Sequence, residues 1–151
     1  MKRFRFRLQT LLDQRKAREE KLLWELSDLQ REELREIERL HGLERILRKA
    51  RESIEEALSS LCSGGFAILP VVQRDEFAKA TRDDIRVQEL TIEAVGRRVE
   101  AKRVEVVKAM QDRKVLEALK DKQEREYIVS MARQEQNQLD EMATVRYARG
   151  M

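Results

Sequence analysis

The sequence predicts an all-α protein, a long antiparallel two-helix coiled-coil hairpin. Apolar residues recur at alternating steps of four and three, the spacing of a coiled-coil seam. Charged residues make up 40% of the 151 residues, against about a quarter in ordinary domains. One stretch, Cys62–Pro70, interrupts the pattern and holds an adjacent glycine pair and the only proline. We interpret residues 1–151 as one hairpin domain, with helices near 5–61 and 72–148 and a turn at 62–70.

The first helix carries the stronger seam. From Leu8 to Leu61, twelve of the sixteen positions at 4–3 spacing are apolar, and the register does not slip. An unbroken 3.5-residue repeat stays on one side of a helix only when the helix supercoils about a partner. Trp24 lies two residues beyond the seam residue Leu22 and should face outward. Because tryptophan is enriched at binding hot spots, we predict that Trp24 contacts a protein partner.

The second helix resumes a weaker 4–3 pattern from Thr81 to Tyr127. Laid antiparallel, the two seams can be aligned so that Leu29 faces Val106 and Glu33 faces Lys102. The same register sets Glu19 beside Arg113. In this register, residues of opposite charge face each other, and apolar residues face apolar residues. A coiled coil between two chains remains an alternative, since periodicity does not say which chain supplies the partner helix.

The predicted register leaves the end of the second helix unpaired. Tyr127 already faces Leu8, so residues 128–149 should extend past the start of the first helix. This segment contains several apolar residues. Exposed apolar surface of this kind commonly marks a binding site, so we predict that residues 128–149 await a partner.

The residue inventory argues against catalysis. The chain has one His and one Cys, too few for a zinc or haem site or for a catalytic dyad. It has no glycine-rich phosphate-binding loop. The sequence therefore predicts no enzyme activity, no metal, no cofactor and no small-molecule substrate. No apolar run approaches the length of a membrane span, and we expect a cytoplasmic protein.

A basic and aromatic arm begins the chain. Four cationic residues alternate with two phenylalanines: Lys2, Arg3, Arg5 and Arg7 with Phe4 and Phe6. Such an arm suits phosphates and bases, and equally an acidic protein surface or an anionic membrane. A nucleic-acid-binding coiled-coil arm is therefore a second hypothesis, although a net charge of +3 supports it only weakly.

Three segments resemble the FliJ family of bacterial flagellar export proteins. They are FRFRLQTLLDQR at 4–15, QRDEF at 73–77 and LDEMA at 139–143. Each motif is helical and degenerate, but their order and spacing and the length of the chain fit the family together. The resemblance extends over nearly the whole sequence.

This resemblance implies a non-enzymatic stalk or adaptor of the flagellar type III export apparatus, peripheral on the cytoplasmic side of the cell membrane. Its implied partners are the hexameric flagellar export ATPase, the cytoplasmic domain of the export gate membrane protein, and export chaperones. Phe77 would contact the gate protein, and the arm with the segment at 139–141 would enter the ATPase ring. The equivalent stalk of a virulence type III secretion system remains an alternative. The candidate protein-binding residues are Phe4, Phe6, Trp24, Phe77, Leu139, Asp140, Glu141 and Met142.

Overall fold

The computed structural model describes residues 4–64 and 68–150, and within these ranges it contains two α-helices and no strand. Helix α1 spans Gln9–Cys62 and helix α2 spans Ile68–Arg149. The two long helices pack against each other, which confirms the predicted all-α helical hairpin. Neither helix, over the described residues, has a stretch apolar enough to cross a bilayer.

Helix α1 begins at Gln9, four residues later than predicted. The Gln9 N–H donates to the Phe6 carbonyl at 3.2 Å, and this turn precedes the first regular helical hydrogen bonds. Phe6 is only 8% exposed. Burial of its ring favours a chain that bends before the helix starts, so the residues before Gln9 do not extend the helix as the periodicity suggested.

Helix α1 ends at the predicted turn, and the first glycine of the pair has the conformation expected there. Gly64 has φ of +102°, a left-handed conformation that glycine adopts without steric cost. Its N–H donates to the Leu61 carbonyl at 3.2 Å. The predicted turn also included Gly65, which lies outside the described residues.

Helix α2 begins at Ile68 rather than near residue 72, so Pro70 lies in its first turn and not in the connection. The prediction was wrong because it treated proline as a helix breaker. The first four N–H groups of a helix have no intrahelical acceptor. Proline therefore loses no hydrogen bond in this first turn, and its fixed φ suits a helix.

The predicted pairing register was also wrong. Lys102 Nζ lies 3.0 Å from Glu25 Oε2, whereas the prediction placed Lys102 opposite Glu33. Gly96 instead makes room for Glu33, since a Cβ on Gly96 would lie 3.4 Å from Glu33 Oε1. The observed pairs lie about one heptad earlier along α1. A shift of one heptad still sets apolar seam against apolar seam, so the pattern alone could not distinguish the two registers.

The chain comprises two compact units. The first contains Met1–Leu22 and Glu105–Met151, and the second contains Leu23–Val104. The prediction that residues 1–151 form one domain stays a prediction. Buried apolar residues of the first unit are Phe6, Leu12 and Ala109. Those of the second unit are Ala50, Ala78, Val95 and Val99.

Candidate protein-binding surfaces

The last part of α2 is exposed on all sides. Met131 is its last half-buried residue, and every described residue from 132 to 150 is exposed. Tyr127 still contacts the start of the chain, because its ring lies 5.7 Å from that of Phe4. The prediction of an unpaired helix end is therefore confirmed. We call residues 128–149 the terminal segment. Its exposed large apolar residues are Ile128, Val129, Leu139, Met142, Val145 and Tyr147.

Four predicted binding residues lie together on this segment. Leu139 is 58% exposed and Met142 is 54% exposed, and their spacing of three places them on one face of the helix. Asp140 and Glu141 are exposed beside them. Asp140 Oδ1 accepts a hydrogen bond from Gln136 Nε2 at 3.0 Å. The segment thus presents a small apolar patch with carboxylates next to it.

The arm at the start of the chain packs on its own protein. Phe6 is buried, and Phe4 is half-buried against Tyr127. Arg5 and Arg7 are exposed, whereas Lys2 and Arg3 lie outside the described residues. Stacking on bases requires free aromatic rings, and Phe6 is not free. This observation weakens the nucleic-acid hypothesis and gives the arm a structural role.

A groove of about 530 Å³ lies in the second unit. Its lining residues come from both helices: Ile46, Lys49, Ala50, Ser53, Pro70, Gln73, Arg74 and Phe77. Phe77 is 55% exposed. Arg74 Nη1 donates to the Ser53 carbonyl at 2.8 Å and so ties α2 to α1 beside the groove. The predicted contact residue Phe77 therefore belongs to a concave surface with basic side chains at its edge.

Trp24 faces outward, as predicted, with 62% of its surface exposed. Its neighbours one turn away on α1 are Glu20 and Asp28, both exposed. Asp28 is held by Arg31 at 3.3 Å. The exposed ring therefore lies between two acidic side chains of the same helix face, at a distance in sequence from the other candidate residues.

Comparison with known proteins identifies the family. A family model described as "Flagellar FliJ protein" matches residues 4–151, nearly the whole chain. The chain belongs to the FliJ family. No curated protein and no solved structure matches it. The resemblance stated from the three sequence motifs is thereby confirmed, and the protein is a component of the flagellar export apparatus.

This FliJ-family chain joins its helices in the first unit by an ionic cluster. Arg113 Nη1 donates to Glu117 Oε2 at 2.6 Å, and Arg113 Nη2 donates to Glu19 Oε1 at 3.4 Å. Lys16 Nζ lies 3.6 Å from Glu117 Oε1. The hydrogen bonds that Arg113 donates to Glu19, and then to Glu117, raise the pKa of Arg113. The hydrogen bond from Arg113 lowers the pKa of Glu117, so both groups stay charged at neutral pH.

Sequence reasoning found some of these residues and missed others. The proximity of Glu19 and Arg113 was predicted and is confirmed. Arg74 was missed, because a solvent-side arginine looks the same in sequence whether or not it reaches a backbone carbonyl. The described residues hold no group of three or more His, Cys, Asp or Glu side chains that could bind a metal ion, and Cys62 is exposed.

Proposed function

We propose that this FliJ-family protein is a non-enzymatic coiled-coil stalk of the flagellar type III export apparatus. In this role it engages the hexameric export ATPase, the cytoplasmic domain of the export gate protein, and export chaperones. It works in the cytoplasm, peripheral to the inner face of the cell membrane. The observation that carries the proposal is the terminal segment, in which every described residue beyond Met131 is exposed, the apolar ones included.

The terminal segment would enter the ATPase ring. Leu139 and Met142 form an exposed apolar patch on a single helix, which can insert into a channel that a pair of helices would not fit. Arg146 and Arg149 in the last turn add positive charge at the end of this segment. Because it offers no reacting groups, the stalk would promote assembly or turnover of the ATPase through binding alone.

The groove around Phe77 would receive the gate protein. Aromatic residues, phenylalanine included, are enriched at protein interfaces, and Phe77 is 55% exposed beside a concave surface. The groove and the terminal segment belong to different compact units. Substitutions in one should therefore leave the other partner's binding intact.

The experiment that tests the proposal measures both activities in one set of variants. Deletion of residues 128–149 should abolish stimulation of the export ATPase, while binding to the gate domain persists. Phe77→Ala should have the converse effect. Helicity per residue should hold in both variants, because the segment is exposed and Phe77 is half exposed.

Point variants distinguish the effect of the apolar patch from the effect of shortening the helix. Leu139→Ser with Met142→Ser should lose most of the stimulation. The matched control, Asn137→Ser with Gln138→Ser, alters exposed polar residues of the same helix and should retain it. Undiminished stimulation by the truncated chain would refute the assignment of this segment to the ATPase.

A further inference from the structure

The groove around Phe77 is lined by charges of one sign. Lys49 of α1 and Arg74 of α2 are its two charged lining residues, and both are cations. The rest of the lining is apolar, as at Ile46, or polar without charge, as at Ser53. Because the chain has 32 basic and 29 acidic residues, a lining with cations and no carboxylate differs from its nearly balanced composition.

Neither cation has an ionic partner among the described residues. Arg74 Nη1 donates to the Ser53 carbonyl at 2.8 Å, which holds the guanidinium at the groove but leaves its charge uncompensated. A guanidinium has five N–H groups, so most of its donors remain available to a ligand. Lys49 is exposed and forms no ion pair or hydrogen bond with the part of the chain that the structure describes. The two side chains together therefore suit an anion.

The surface around the groove limits how extended that anion can be. Among the other charged residues of 44–56 and 70–79, six are acidic and four are basic, and none of them lines the groove. Asp75 is held by Lys79 at 2.6 Å, while Glu56 of α1 and Glu76 of α2 are exposed. A long polyanion such as a nucleic acid would meet these carboxylates beside the groove. The pattern therefore favours a ligand with one localised negative charge.

The apolar part of the groove indicates what should adjoin that charge. Ile46 is 43% exposed and Phe77 is 55% exposed, so both rims offer apolar surface. The groove volume of about 530 Å³ is that of pockets that hold small ligands, which is room for a few side chains. A free inorganic anion would leave this apolar surface uncovered. A protein segment with a carboxylate beside a large apolar side chain would satisfy both parts.

We propose that the groove recognises a short acidic and apolar segment of its protein partner, in which a carboxylate binds Lys49 and Arg74 and a neighbouring large apolar side chain packs on Phe77. This inference rests on the function proposed for the groove, with the cytoplasmic domain of the gate protein as the partner. It adds the chemistry of the segment that is recognised. Arginine suits this role because its planar guanidinium can bind a carboxylate through two parallel hydrogen bonds.

Calorimetric titration of the full chain with the cytoplasmic domain of the gate protein tests the proposal. Lys49→Glu should weaken binding about tenfold or more, because the partner's carboxylate would then meet a like charge. The matched control is Arg48→Glu, which makes the same change of charge on the adjacent exposed residue, outside the lining. It should weaken binding by at most about twofold, since exposed charges outside a contact are screened.

Salt dependence gives a second measure of the same contact. Raising the salt concentration should weaken gate binding by the unaltered chain more than binding by a chain with Lys49→Gln and Arg74→Gln. Arg74 also ties α2 to α1, so circular dichroism should establish that this chain is folded. Lys49→Gln alone removes no described contact and carries the test if the double variant is unstable.

Phe77→Ala distinguishes failure of this inference from failure of the function on which it rests. Unchanged gate binding by Phe77→Ala would refute the groove as the gate site. Weaker binding by Phe77→Ala, together with equal binding by Lys49→Glu and Arg48→Glu, would leave the gate site in place and overturn the recognition of a carboxylate.

A second copy of the chain is the alternative occupant, because its terminal segment carries Asp140 and Glu141 between Leu139 and Met142. Sedimentation of the unaltered chain as a monomer would support a segment of another protein. A dimer that is dissociated both by Lys49→Glu and by deletion of residues 128–149 would overturn the proposal, since the groove would then hold the terminal segment of the other copy.

Discussion

Residues 105–127 and 128–149 belong to one continuous helix, yet only the first stretch packs on α1. Both are rich in charge and both contain apolar residues at regular spacing. In the first stretch these residues are buried or half-buried, as Ala109 and Leu116 show. In the second, Leu139 and Met142 face solvent. Apolar periodicity therefore predicts that a helix packs against another surface. The structure is needed to show whether that surface belongs to the other helix of the hairpin.

The largest effect is expected when a leucine of the packed part of the first unit is replaced and compared with a leucine of the terminal segment. Leu12, which is 1% exposed, packs in the first unit, and Leu12→Ala should cost about 2–4 kcal/mol of unfolding free energy. Leu139→Ala should change it by less than about 0.5 kcal/mol. Urea denaturation followed by circular dichroism measures both. Equal losses would mean that the terminal segment is packed in solution.

The ionic cluster offers a second comparison with a smaller effect. Arg113→Gln leaves Glu19 and Glu117 without their shared guanidinium, so the melting temperature should fall, though less than for Leu12→Ala. Arg133→Gln, on the exposed terminal segment, should leave the melting temperature unchanged. A larger loss for Arg133→Gln would contradict the division between the two stretches.

Acid should weaken the paired stretch selectively. The pKa of Glu117 is lowered in the folded protein by Arg113, so the stability that Glu117 contributes is present above its ordinary pKa. It is lost as the pH falls through the lowered value. The difference in melting temperature between the native chain and Glu117→Gln should therefore vanish in strong acid. A difference in melting temperature that persists unchanged in strong acid would count against the contribution of the ionic cluster.

The smallest effect is expected for substitutions that test the pairing register of α1 and α2. Lys102→Glu should destabilise the pairing, and Glu25→Lys added to it should restore about 0.5–1 kcal/mol, which is typical of partly solvated ion pairs. Glu33→Lys added to Lys102→Glu should restore less, because Lys102 Nζ lies 3.0 Å from Glu25 Oε2, whereas Glu33 lies beside Gly96. Rescue by Glu33→Lys alone would favour the register derived from the seams.

The hairpin itself could be predicted from sequence because its two signals are local and strong. A long 4–3 repeat requires a partner helix, and the break at Gly64 ends the first helix. The outward position of Trp24 and the unpaired residues after Tyr127 follow from the same periodicity. These features depend only on which side of a helix a residue occupies.

The register and the role of the arm depend on tertiary contacts that the pattern does not encode. Shifting one helix by a heptad preserves the apolar seam, so the choice between Glu25 and Glu33 as the partner of Lys102 rests on side-chain fit. The buried Phe6 belongs to an alternation of basic and aromatic residues that is equally typical of a ligand-binding arm. Sequence alone could not separate these roles.

The exposure of the terminal segment has a thermal consequence. An isolated helix of about 20 residues is only marginally stable in water, because nucleation is costly and no packing supports it. A partner that encloses the segment would therefore complete its folding as well as bury its apolar side chains. Such coupled folding gives binding a favourable enthalpy, an unfavourable entropy and a negative heat-capacity change. Warming should then loosen the protein's hold on this partner at temperatures at which the paired helices are still intact.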